Sequence, residues 1–99
     1  MLIVDLDFKH PNQEMEQIHE QHLKFLKKYY ENKTFMTSGP KLSANGGIIV
    51  AGNISRARLE EILKEDPYYQ NGFMEFRIIE FSSTLVSSDI GVFFQEEIV

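Results

Sequence analysis

Residues 2 to 8 alternate in character, with Leu2, Val4, Leu6 and Phe8 on one face of an extended segment and Ile3, Asp5 and Asp7 on the other. That two-residue period predicts a half-buried strand. Pro11 and Asn12 interrupt it. Asn12 is placed to cap a helix whose first turn carries Gln13 and Glu14, where negative charge meets the positive end of the helix dipole. The pattern then changes to helical spacing over about Gln13 to Glu31, with Met15, Ile18, Phe25, Leu26 and Tyr29 forming one apolar stripe. Stepping about 100° per residue sets His22 inside that stripe, on the core-facing side.

Thr34 to Thr37 is a short β-prone run, and Ser38-Gly39-Pro40 reads as the turn that ends it. Residues 41 to 47 contain Asn45-Gly46, a strong hairpin signal, so Ile48 to Ala51 is expected to return antiparallel. Ser55 is a cap for a second helix with Leu59, Ile62 and Leu63 on one side and Glu60, Glu61 and Lys64 outside. Asp66-Pro67 is expected to end that helix, because a residue before proline is pushed out of helical geometry. Phe73 to Phe81, dense in Phe and Ile, reads as a fourth strand. The order β-α-β-β-α-β predicts an α+β, ferredoxin-like fold, an antiparallel sheet with both helices on one face. Residues 1–81 would form the core of a single domain spanning 1–99, with 82–99 as a C-terminal arm or extra strand against a partner subunit.

Large apolar residues, among them Phe73, Phe76, Phe81 and Ile48 to Val50, are read as divided between both faces of their strands. The helix-free face would then expose more apolar surface than a monomer tolerates, so a homodimer joined through that face is expected.

Composition removes several classes of function. Fifteen acidic against ten basic residues give a formal charge of −5, which opposes a phosphate backbone, so nucleic acid is not an expected partner. The chain has no cysteine, which excludes disulfides, thiolate metal sites and a cysteine nucleophile and suits a cytoplasmic protein. No apolar run approaches the roughly 20 residues that span a bilayer, and the first strand carries two aspartates in place of a cationic leader. No membrane association is expected. The glycines at 46, 47 and 52 lack the lysine and threonine of a phosphate-binding loop. His19 and His22 lie three apart on a helix, but no third ligand is spaced to complete a metal site. Neither a metal nor a cofactor is expected.

Four pieces taken together resemble the YCII-related family: His22-Leu23, Ser38-Gly39-Pro40, Gly47-Ile48-Ile49-Val50, and Asp66-Pro67-Tyr68-Tyr69-Gln70-Asn71-Gly72-Phe73. The likeness runs over about residues 1 to 81, and the Asp-Pro-Tyr piece is its most specific part. It implies a small dimeric α/β barrel similar to muconolactone isomerase, with His22 and Asp66 as the active-site pair. An arginine that often precedes the family histidine has no counterpart in Glu16-Gln17-Ile18-His19, so no anion-binding role is carried over from it.

The residues allow the same pairing on chemical grounds. An imidazole on the core face of a helix needs a hydrogen-bond partner. A carboxylate at the C-terminal end of the second helix would face the negative end of the dipole. Each supplies what the other lacks, and a carboxylate-oriented imidazole is suited to proton transfer near neutral pH. The same residues also fit plain structural roles, His22 as a satisfied core histidine and Asp66 as a helix-ending turn residue. Ser38, Gly39, Pro40 and Tyr68 are the candidate substrate-binding residues, by way of the Ser38 hydroxyl and one phenol at the pocket rim. Two functions remain open at this level. One is a cofactor-independent isomerase or lyase acting on a small cyclic or unsaturated acid. The other is a non-catalytic dimeric module that binds a small ligand or a protein in the same cleft.

Overall fold

The computed structural model describes residues 1–10, 13–52 and 54–90. Strand β1 (Leu2–Phe8) is followed by two helical segments, α1 (Gln13–Gln17) and α2 (His19–Glu31), then by the hairpin β2 (Phe35–Pro40) and β3 (Gly46–Ala51). Helix α3 (Arg56–Leu63) leads to a one-turn helix α4 (Pro67–Gln70), and β4 (Met74–Glu80) completes the order. The sheet runs β2-β3-β1-β4, and every neighbouring pair is antiparallel. This is the ferredoxin-like α+β arrangement that the pattern predicts.

The core forms because the alternation in β1 sends Leu2, Val4 and Leu6 to the helix side, where all three are buried. In register with them stand Ile49 and Ala51 of β3 and Ile78 of β4. Met15, Phe25 and Tyr29 from the first helical stretch and Leu59, Ile62 and Leu63 from α3 pack onto that surface. Ser55 caps α3 by accepting from the Arg58 amide at 3.1 Å. Gly46 is required where it stands, since a Cβ there would come within 1.9 Å of the Leu6 carbonyl oxygen across the ladder.

The first helix differs from expectation in being divided. Ile18 leaves helical geometry at φ −101 and ψ 7, its amide bonds back to Met15 by a tighter turn, and the helix restarts at His19. No glycine or proline marks that break. Ser38-Gly39-Pro40 is no turn. Its residues pair with Ile49, Ile48 and Gly47 as the last half of β2, after a register shift between Phe35 and Thr37. Proline is tolerated there because β2 is an edge strand, where a missing amide donor costs no ladder bond. Asp66-Pro67 likewise starts an element instead of ending one, with Asp66 as the N-cap of α4 and Pro67 in its first turn, a position where its fixed φ is already helical.

Phe73 and Phe76 are not divided between the faces. Phe76 stands opposite Leu6 on the helix side, and Phe73 is buried in the core. The helix-free face carries Ile3, Val50 and Ile79 in one cross-strand row and Asp5, Ile48 and Arg77 in the next. Lys41 Nζ reaches Asp5 Oδ1 and Asp7 Oδ1, each at 2.6 Å, and Arg77 reaches Asp5 Oδ2 at 2.5 Å. Among residues 82–90 no strand forms. The expected extra strand in the remaining tail and the Asn12 cap lie outside the described residues. No helix among the described residues is long and apolar enough to cross a membrane.

Lys41 first, and then Arg77, hold the Asp5 carboxyl below its ordinary value of 3.8. A depressed acid stabilises the fold fully above its unfolded value and loses that contribution as pH falls through the folded one. Asp5→Asn is therefore expected to lower the urea midpoint near neutral pH, with the gap from wild type closing as the solution is acidified below 3.8. A gap that stayed constant through that window would refute the ion network's role.

Candidate functional site

A cleft of about 350 Å³ opens between α2, the β2–β3 hairpin and the start of α4. Its walls are largely apolar, from Leu6, Phe8, Leu23, Leu26, Ile49 and Met74. Its polar side chains are His19, His22, Tyr68 and Ser38, and the backbones of Gly39, Pro40, Gly46 and Gly47 complete the rim. No lysine, arginine, aspartate or glutamate is among the described residues that line it.

Beside the cleft, His22 Nδ1 lies 2.9 Å from both carboxylate oxygens of Asp66. Asp66 is fully buried, whereas the His22 side chain keeps 13% of its surface exposed. Asp66 Oδ1 also accepts from the Tyr68 amide at 2.9 Å, so the carboxylate sits at the positive end of α4 and its charge is met twice. This departs from the expected position at the negative end of the second helix. The cause is local: Pro67 cannot continue α3 but can open a new turn, and the residue before it becomes the cap. With Nδ1 committed to Asp66, its proton resides there, and Nε2 is the ring nitrogen left as a base. Nε2 has no hydrogen-bond partner among the described residues.

The Tyr68 ring stacks on His22 with centroids 4.1 Å apart and planes 12° from parallel. Its hydroxyl lies 2.5 Å from His19 Nδ1. Burial, and then the negative charge of Asp66, push the Tyr68 phenol above its ordinary value of 10.0, so the hydroxyl keeps its proton at neutral pH. On the opposite wall the Ser38 and Tyr30 hydroxyls lie 2.5 Å apart.

The structure thus brings His22 and Asp66 into contact and sets Ser38, Gly39, Pro40 and Tyr68 around the same cleft. Sequence reasoning missed His19 and Tyr30 as neighbours of those residues. For His19 a signal was present: it lies one turn before His22 on the same helix face, a spacing weighed only as a metal pair. Among the described residues no group of three or more metal-ligating side chains occurs. Tyr30 carried no comparable signal, because its contact depends on Ser38 being in a strand.

The family model of the YCII-related domain matches residues 1–82. None of the curated proteins matches the sequence. Among solved structures, 5-chloro-2-hydroxyhydroquinone dehydrochlorinase from Burkholderia phenoliruptrix AC1100, in complex with 2,5-dihydroxybenzoquinone, superposes with a TM-score of 0.68 at 16% identity. The match covers 82% of this chain and 93% of that one, a likeness of fold.

Removing the buried carboxylate should separate structure from charge. Asp66→Ala leaves the Tyr68 amide and His22 Nδ1 without their acceptor and is expected to cost about 1–3 kcal/mol in urea unfolding. Asp66→Asn keeps an oxygen for the Tyr68 amide and should cost less. Equal losses would show that the cap contributes nothing.

Proposed function

The chain belongs to the YCII-related domain family, and on that premise we propose that it is a cofactor-independent enzyme that moves a proton on a small cyclic, unsaturated substrate. His22 Nε2 is the general base, and later the acid that returns the proton. Asp66 holds the ring, fixes its tautomer and stabilises the imidazolium that forms. The carrying observation is the double contact of His22 Nδ1 with a fully buried Asp66 carboxylate at 2.9 Å, beside a largely apolar cleft.

Such a base serves two related reactions. If the abstracted proton returns to another carbon, the reaction is an isomerisation; if a neighbouring group leaves with its electron pair, it is an elimination. The structural neighbour's name describes an elimination, and the ligand in its title is a small oxygenated ring. A ring of that size suits a cleft of about 350 Å³. Ser38, Gly39 and Pro40 on one side and Tyr68 on the other are the substrate-binding residues of this reading.

The working unit is a homodimer joined through the helix-free sheet faces. Its support is the row of Ile3, Val50 and Ile79 on that face, with Ile79 51% and Phe81 44% exposed. Charged Asp5 and Arg77 in the next row are paired within the chain, which lowers the cost of covering them.

Two measurements test these statements. Wild-type protein in heavy water is expected to incorporate deuterium into members of a panel of cyclic enones and hydroxyquinones. His22→Ala and Asp66→Asn should each slow exchange by roughly 10²–10⁴-fold, and the double variant little further, because the two act as one unit. Exchange unaffected by either variant would leave the cleft as a binding module. Light scattering at micromolar concentration should give twice the chain mass, and a monomer would remove the dimer.

A further inference from the structure

The pair of His19 and Tyr68 is not needed by a His22–Asp66 base, yet it occupies the same cleft wall. Three observations bear on what it does. The Tyr68 hydroxyl lies 2.5 Å from His19 Nδ1, so the imidazole fixes where that hydroxyl points. The Tyr68 ring is stacked on His22 at 4.1 Å, and its amide is bound by Asp66 at 2.9 Å, so its position is tied at both ends to the base. Finally, the described lining of the cleft holds no lysine or arginine. Negative charge on a ligand must therefore be met by protic side chains.

We infer that Tyr68 is an oxyanion donor held by His19, and that the cleft takes a planar enolate or phenolate whose oxygen accepts from the Tyr68 hydroxyl. The inference rests on the proposed function and names its substrate class. With His19 Nδ1–H donating to the Tyr68 oxygen, the Tyr68 proton is free to face the ligand. The hydroxyl keeps that proton, and the ligand charge is met by a charge-assisted hydrogen bond. Removal of a proton by His22 from a carbon next to a carbonyl would create such an oxyanion. His19 is a positioning residue in this arrangement, since it acts through Tyr68.

The alternative role for the pair is packing alone, and binding separates the two. The probes are 4-nitrophenolate and the uncharged, similarly sized nitrobenzene, titrated calorimetrically above the nitrophenol pKa. Wild type is expected to prefer the phenolate. Tyr68→Phe retains the ring stack and the amide contact, so the fold should be preserved. It should weaken phenolate binding roughly ten- to a hundredfold, the range of a hydrogen bond to a charged group, while nitrobenzene binding stays the same. His19→Ala, at an exposed position, should weaken the phenolate alone by a smaller factor. Combining it with Tyr68→Phe should add nothing. Equal affinity of wild type for both probes, or a Tyr68→Phe variant that binds phenolate as wild type does, would overturn the inference. A loss caused by His22→Ala and not by Tyr68→Phe would also overturn it, by moving the oxyanion contact to His22. Absence of deuterium exchange alongside intact phenolate selectivity would instead remove the catalytic reading and leave the anion site.

Discussion

The carboxylate of Asp66 has no contact with solvent, and such a charge survives burial only if its hydrogen bonds are supplied from within the chain. Two elements distant in sequence supply them: α2 through His22 Nδ1 and α4 through the Tyr68 amide. The same interaction caps α4, docks it on α2 and fixes which nitrogen of His22 faces the cleft. An apolar replacement of similar volume could satisfy packing but could not orient an imidazole. The polar pair is costly as a packing solution and useful as a chemical one, which is why its presence directs attention to this end of the molecule.

Around that point the fold divides its labour between the two faces of one sheet. The helix side carries the core and the cleft, and the edge strand β2 contributes Ser38, Gly39 and Pro40 to the far wall. The opposite side carries an isoleucine and valine row beside an ion network of Asp5, Asp7, Lys41 and Arg77. Lys41 joins the hairpin loop to β1 through both aspartates. Two aspartates and two cations thus balance one another on the sheet face, while the described cleft lining carries no fixed charge. In that setting two imidazoles and a phenol govern what the cleft accepts, and each of them can hold or give a proton.

Much of this was legible in the residues. The alternation of Leu2, Val4 and Leu6, the stripe of Met15, Phe25 and Tyr29, and Ser55 as a cap all follow from local geometry, and the structure contains each. The places where the pattern misled share a cause. Ser38-Gly39-Pro40 reads as a turn because its residues favour turns; only the pairing with β3 and the tolerance of an edge strand for proline make it a strand. Asp66 reads as a helix end because Pro67 follows; whether proline closes one helix or opens the next depends on what the next residues can pack against. Phe73 and Phe76 read as divided between the two faces, since their parity along the run differs. The register of Phe76 with Leu6 settles its face.

By itself the sequence determined the class of fold, the identity of the core and the two residues most in need of partners, because these depend on periodicity and on the cost of burying polar groups. Tertiary structure alone decided that His22 and Asp66 meet and that His19 reaches the hydroxyl of Tyr68. Those contacts join residues 44 to 49 positions apart. Their geometry is set by how α2 and α4 pack together on one sheet face, a relation that no local pattern encodes.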